Sequence, residues 1–339
     1  MRPTPIIIAA CLVLATGVVA QAGASTTTTS TSTPTTTTTK STAPKGPVAP
    51  LTGLPDPTRV SHRRSALTIK IDNTPEAHPQ YGLEKADVIY EEIVEGGITR
   101  LAAIFNSRLI GRVGPVRSVR RTDRGIVTPI GGIFAFSGGA QYAIKSIEKA
   151  PVKLIDQSNA GSAMFRDSHR PPPHNLFANA IRLMAMGGRV HVPPPLFKYV
   201  PRLTKGIGPK VASFSVNFPA GFAVTYTWDG RTHSWDRSIF GRPDVEATGQ
   251  RMSPPTVVVM SVTYAGGVGV EGSAAVLTGT GPVMIFTGGR LQRGHWSRSR
   301  MNKVTAYRSA SGRDIKLRPG QTFVELQAKG ESVTIHAAG

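Results

Sequence analysis

Three rhythms of apolar and polar positions follow one another along the chain. Ile6 to Ala20 is apolar throughout, Ser25 to Lys45 is almost wholly Ser, Thr, Pro, Ala and Lys, and from Pro50 onward short apolar runs alternate with polar turns. Ala66 to Ile71 alternates with period two and ends at Asp72-Asn73, which predicts a strand. Asp87 to Val94 and Thr99 to Asn106 predict two more, with Glu95-Gly96-Gly97-Ile98 as the hairpin loop between them. The stretch GPVRSVRRTDRG, residues 114–125, predicts a helix with Pro115 in its first turn. Ile133 to Phe136 predicts a short buried strand running into Ser137-Gly138-Gly139, then a helix from about Ala140 to Lys149. A last helix is expected over Leu176 to Met186, capped by Asn175 and stopped at Gly187-Gly188.

Beyond a proline-rich bridge, residues 193–212, helix signals nearly vanish. Strands are expected at Ser213–Phe218, Phe222–Trp228, Arg231–Trp235, Thr256–Tyr264, Ala274–Leu277, Pro282–Phe286, Arg290–Trp296, Lys303–Tyr307 and Thr322–Gln327. Turns fall at Asp229-Gly230, Thr280-Gly281 and Gly288-Gly289, and Trp228, Trp235 and Trp296 are expected to anchor the core. The pattern therefore predicts an α+β protein: a mixed α/β domain over 50–192 and a mostly β domain over 213–336.

The leader changes the setting. Residues 1–24 read as a secretory signal, with Arg2 as a thin positive start and Ala22-Gly23-Ala24 as a cleavage site. Its fifteen apolar residues are short for a bilayer span, so membrane contact is expected only if the leader is uncleaved or lipidated. Residues 25–49 lack large apolar side chains and read as a disordered stalk, plain or O-glycosylated. Cys11 is the only cysteine; a cleaved chain would hold no thiol, which excludes disulfides, thiolate nucleophiles and cysteine–zinc sites. An extracellular or cell-envelope location follows, and intracellular nucleic acid is set aside as a partner.

Charge then narrows the candidates. The formal net charge is +20, with 27 Arg to 13 Lys, and such a field attracts anionic polymer, lipid headgroups or acidic substrates. On the expected helix, Arg117, Arg120, Arg121 and Arg124 fall at i, i+3, i+4 and i+7, a stripe that is usually apolar. Arginine's planar fork suits phosphate and carboxylate, and Asp123 is the one acid nearby in sequence. Period two places Glu91 and Glu95 on one otherwise apolar strand face, where Arg100, Arg117 or Arg120 would have to answer them. Either an internal network or a cleft with Glu91 or Glu95 as general base fits. Ser137-Gly138-Gly139 at a helix start could cradle an anion or be a plain turn. The loop MFRDSHRPPPHNLF offers Arg166, Arg170, His174 and Asn175 to the same cleft; its arginines disfavour a metal, and neither HExxH nor GxSxG occurs. No cofactor is expected.

The segments LTIKIDNTPEAHPQYGLEKADVIYEEIVEGGITRLAAIF, GPVRSVR, RPPPHNLF, TGTGPVMIFTGGRLQRGHWSRS and LRPGQTFVEL occur in order over roughly residues 50–327. In these the chain resembles the YerB-type putative lipoprotein family, whose domain has no known function. The resemblance implies a bacterial, envelope-facing protein of two domains and carries over no catalytic residue. Two departures stand out: a Ser/Thr stalk follows the leader where the family has a lipobox cysteine, and Phe136 stands where family members often have a histidine before Gly-Gly.

The reading that results is an envelope protein binding an anionic component through Arg100, Arg117, Arg120, Arg121, Ser137, Gly138, Gly139, Arg166, Arg170 and Asn175. The competing readings are an envelope hydrolase using Glu91 or Glu95 with His174, and a structural scaffold.

Overall fold

In the computed structural model, which describes residues 46–200 and 207–339, apolar runs from both halves of the chain become strands of one sheet. The first half supplies β1 (Leu67–Asp72), β2 (Val88–Ile93), β3 (Thr99–Phe105), β4 (Ile133–Phe136) and β5 (Lys153–Asp156). Next come β6 (Val211–Asn217), β7 (Ala223–Asp229) and β8 (Ser234–Ile239), then β9 (Thr256–Val262), β10 (Gly279–Thr287), β11 (Arg290–Arg298), β12 (Ala306–Ser309), β13 (Thr322–Ala328) and β14 (Val333–Ala337). The large sheet runs β12-β11-β10-β9-β13-β2-β3-β1-β4-β5; the smaller one runs from Arg242–Pro243 through β8, β7 and β6 to β14. The expected leader and residues 25–45 of the stalk lie outside the described residues, as do residues 201–206 of the bridge.

β13 joins the halves. It lies parallel to β2, from Val88 opposite Thr322 to Glu92 opposite Leu326, and parallel to β9 on its other side. The two expected domains thus meet as two parts of one hydrogen-bonded sheet. Every residue of β1, β2 and β3 is buried, as in strands covered on both faces. The small sheet covers one face: Phe214 of β6 stacks on Phe286 of β10 with centroids 3.5 Å apart, and Tyr226 meets Phe323 edge-on at 6.4 Å. Trp235 and Trp296 are core residues as expected, with Trp228 packed less deeply against Trp235.

Burial on both faces forces the charged strand residues to find internal partners. Arg237 of β8 is fully buried; its Nη2 donates to Glu91 Oε2 at 2.7 Å and its Nη1 to Asp244. The Tyr226 hydroxyl donates to Glu325, which faces Glu91 across the β2–β13 ladder. Burial and the neighbouring Glu91 push the Glu325 carboxyl well above its ordinary range. Glu91 and Asp244 then share one guanidinium, and the cluster ties the small sheet to the join.

Several local expectations change. Residues 113–120 are extended rather than helical because their backbone completes a ladder: Arg117 N–H donates to Lys70 O at 2.8 Å and Ser137 N–H to Arg117 O at 3.0 Å. Val116 and Val119 fill the core from that segment. Helix α1 begins at Arg121 and ends at Val127, α2 spans Gln141–Ile147 and α3 spans Ala180–Ala185. The α3 cap is Asn179, not Asn175, because buried Leu176–Ala178 pairs as a strand with Met164–Arg166. Thr280-Gly281 lies inside β10 rather than at a turn; a Cβ on Gly281 would meet Trp296 Nε1 at 2.6 Å, so this glycine makes room for the indole. β14 carried no expectation, and folded structure reaches back to Val48, which bridges Pro55.

The ladder predicts that residues 51–190 expressed alone stay unfolded, and that the whole chain unfolds in one urea transition followed by circular dichroism. Arg237→Ala leaves two buried carboxylates unanswered and should cost about 3–5 kcal/mol in that assay.

Candidate functional site

Asp72, the last residue of β1, is fully buried, and two cationic or polar groups converge on it. Its Oδ2 lies 2.8 Å from His174 Nδ1 and 2.9 Å from Arg117 Nε, the latter out of line for a hydrogen bond. Its Oδ1 accepts from Thr74 N–H at 3.2 Å. His174 is held by the proline loop through its own N–H to Pro171 O at 3.0 Å. With Nδ1 turned to Asp72, the other ring nitrogen has no protein partner among the described residues.

Arg100 faces Asp72 across the β1–β3 ladder and Glu92 across β2–β3. It is only 7 % exposed, its Nη1 donates to Ser118 O at 3.1 Å, and its Nε has no partner. Burial, then the neighbouring Arg120 and Arg117, pull its guanidinium down to about 10. Arg120 is answered: Nε and Nη2 each approach Glu95 Oε2 at 2.8 Å. Partial burial would raise the Glu95 carboxyl, but a backbone hydrogen bond and Arg120 hold it below its ordinary value. Glu95 reaches this place because the turn after β2 uses Gly96 and Gly97, both at φ 74°.

Glu95, Ser118, Arg120, Gly139 and Tyr142 border an open cleft of about 530 Å³, with Glu271 from the second half at its exposed rim. Beneath it, Lys70 Nζ donates to Glu92 and, at 2.9 Å, to Asp123 Oδ1, all three fully buried. Asp123 Oδ2 accepts from Arg120 N–H at 2.6 Å, fixing where the extended segment becomes α1. Two carboxylates share one ammonium here. Burial and Asp123, opposed by Lys70, push the Glu92 carboxyl up to about 7.

The structure therefore brings together Arg100, Arg117, Arg120, Glu95 and His174, and separates the other expected residues. Arg121 turns away, its Nη1 donating to Gly272 O at 2.7 Å. Ser137 and Gly138 are used in the ladder, Gly138 O accepting from Val119 N–H at 2.9 Å, which matches the plain turn of the two alternatives rather than the anion cradle; of the three residues only Gly139 lines the cleft. Arg166 donates to Asn175 Oδ1 at 2.7 Å, and Arg170 is tied to the carbonyls of Ala77 and Pro79. Glu91 is corrected outright as a candidate base, being fully buried and held by Arg237, Asn73 and Thr99. Sequence reasoning passed over Asp72, Ser118, Tyr142 and Glu271; Asp72 alone carried a signal, as a carboxylate closing an apolar strand.

Residues 51–190 match the family described as protein of unknown function (DUF3048) N-terminal domain, and residues 214–324 match its C-terminal domain. The chain belongs to this family, as its resemblance to YerB-type proteins implied. It is similar to "Putative lipoprotein YerB" of Bacillus subtilis (strain 168), 37% identical over 132 residues, a stretch covering 39% of this chain and 40% of that protein. Its fold is similar to the crystal structure of the YerB protein from Bacillus subtilis, with a TM-score of 0.73 and 23% identity, covering 85% of this chain and 99% of that one.

Glu92 gives the site a pH signature. A carboxyl raised from 4.5 to about 7 by folding binds its proton more tightly when folded, so its stabilising contribution is full below pH 4.5 and lost as pH rises through 7. Thermal melts from pH 5 to 8 should show a downward slope that Glu92→Gln flattens, with the variant gaining most at pH 8.

Proposed function

We propose that this is a cell-envelope protein whose first-half cleft binds the oxyanion groups of an anionic envelope polymer or lipid headgroup. The apolar leader followed by a Ser/Thr stalk supports export, and a similar Bacillus protein is named a lipoprotein. One observation carries the binding reading: Arg100, more than nine-tenths buried beside Arg117 and Arg120, bonds only a carbonyl. Three guanidinium groups there face two inner carboxylates, Asp72 and Glu95. Glu271 stands at the exposed rim, where water screens it. An oxyanion taking Arg100 Nε and displacing Glu95 from Arg120 would complete the cluster with charge-assisted bonds.

The His174–Asp72 pair supports a second reading, hydrolysis of an envelope ester. A buried carboxylate orients the imidazole through Nδ1 and leaves the other nitrogen for proton transfer. In this reading Asp72 positions, His174 moves the proton and the arginines hold the charge.

Retention on a teichoic-type polymer at low salt checks the first reading. Arg117→Ala with Arg120→Ala should weaken it about tenfold or more with an unchanged far-UV spectrum, whereas Glu95→Gln, which frees Arg120, should strengthen it. Retention unaltered in the double variant rejects the site. For the hydrolytic reading, His174→Asn should keep binding and end turnover; binding without turnover in the unaltered protein leaves only the first reading.

A further inference from the structure

The arginine run divides at Arg120. Where Arg120 lines the cleft and Arg117 lies against Asp72, Arg121 and Arg124 enter a separate hollow of about 200 Å³ between α1, Ser146 of α2 and the strand end Arg298. Arg298 is 4 % exposed; its Nη1 donates to Gly125 O at 2.8 Å and its Nη2 to Met301 O, and its Nε is buried without a partner. Arg124 Nε is likewise buried and unpartnered. No Asp or Glu borders the hollow, and its remaining wall is mostly apolar, with Val276 and Leu277 beside the polar Thr278. Burial holds the Arg298 guanidinium below its ordinary value, and the other groups acting on it are the phenols of Tyr90 and Tyr307.

Unlike the cleft, then, this hollow gathers three guanidinium groups with no acid in its lining. Of the three, Arg298 is buried, Arg124 part-buried and Arg121 exposed; a buried cation without counter-charge is costly, and a bound anion offsets that cost at Arg298. The forked donors suit oxyanions, and three positive charges favour a dianion over a monoanion. A cavity of roughly 150 Å³ holds a benzene ring, so this one has room for an oxyanion with a small apolar group lying on Val276 and Leu277.

We propose that the hollow framed by Arg121, Arg124, Arg298 and Ser146 is a second binding site, specific for a phosphate monoester with a small apolar substituent. It does not depend on the cleft. Phenyl phosphate titrated calorimetrically into the Arg117→Ala/Arg120→Ala protein isolates it, because the cleft is then disabled. One saturable site should remain. Adding Arg124→Gln should weaken it about tenfold or more, and adding Ser146→Phe, which blocks the hollow without altering charge, should give the same loss, both with unchanged far-UV spectra. Benzoate should bind about tenfold more weakly or worse, having a single negative charge. Absence of any site in the Arg117→Ala/Arg120→Ala protein, or an affinity indifferent to Arg124→Gln and Ser146→Phe, overturns the proposal; benzoate binding as tightly as phenyl phosphate overturns the phosphate assignment. Loss of signal confined to Arg117→Ala/Arg120→Ala leaves the cleft reading intact while this one fails.

Discussion

The structure depends on where one strand is inserted. β13, near the end of the chain, lies between β9 of its own half and β2 of the other, parallel to both. That pairing turns two family segments into one sheet and encloses β1, β2 and β3 on both faces. Strands enclosed in this way have no solvent side, so Lys70, Asp72, Glu91, Glu92 and Arg100 are buried with them. Each must find a counter-charge or hydrogen bonds, since an isolated buried ion costs several kcal/mol. The Arg237 cluster, the Lys70 cluster and the Asp72–Arg117–His174 cluster are three outcomes of that one requirement.

They differ in how completely they close. Arg237 is fully buried and has two carboxylates, with Glu325, its own carboxyl pushed well up, beside them. Lys70 is also fully enclosed, and its second carboxylate, Asp123, fixes Arg120 in place. The third cluster opens outward: Arg117 and His174 are part-exposed, and Arg100 lacks an acid of its own. A difference in closure separates charge locked inside the sheet from charge that solvent reaches.

Much of the fold was legible because burial imposes periodicity. β1, β2, β3 and β4 fall where their apolar runs lie, and most later strands do too. The arginine stretch misled because its spacing fits a helix, whereas backbone pairing with Lys70 and Ser137 holds it extended. Ladder partners distant in sequence leave no local trace. The same cause hid the counter-ions: Arg237 lies 146 residues from Glu91, and Asp72 lies 102 from His174. Arg100, Arg117, Arg120, Glu95 and His174 could be named from residue type, but which partner each would meet is fixed only by the sheet. Asn175, Arg166 and Arg170 show the converse, since suitable chemistry in sequence was taken up by structural bonds, local for Arg166 with Asn175 and to the distant carbonyls of Ala77 and Pro79 for Arg170.

That a partly unanswered guanidinium cluster receives an outside oxyanion can be read directly at the atoms concerned. Titrating inorganic phosphate while following the side-chain Nε–H resonances by nitrogen-15 NMR reports each arginine separately. The account predicts that Arg100, Arg117 and Arg120 shift together and saturate with one dissociation constant. Shifts confined to exposed arginines, with Arg100 unmoved at saturating phosphate, would contradict it.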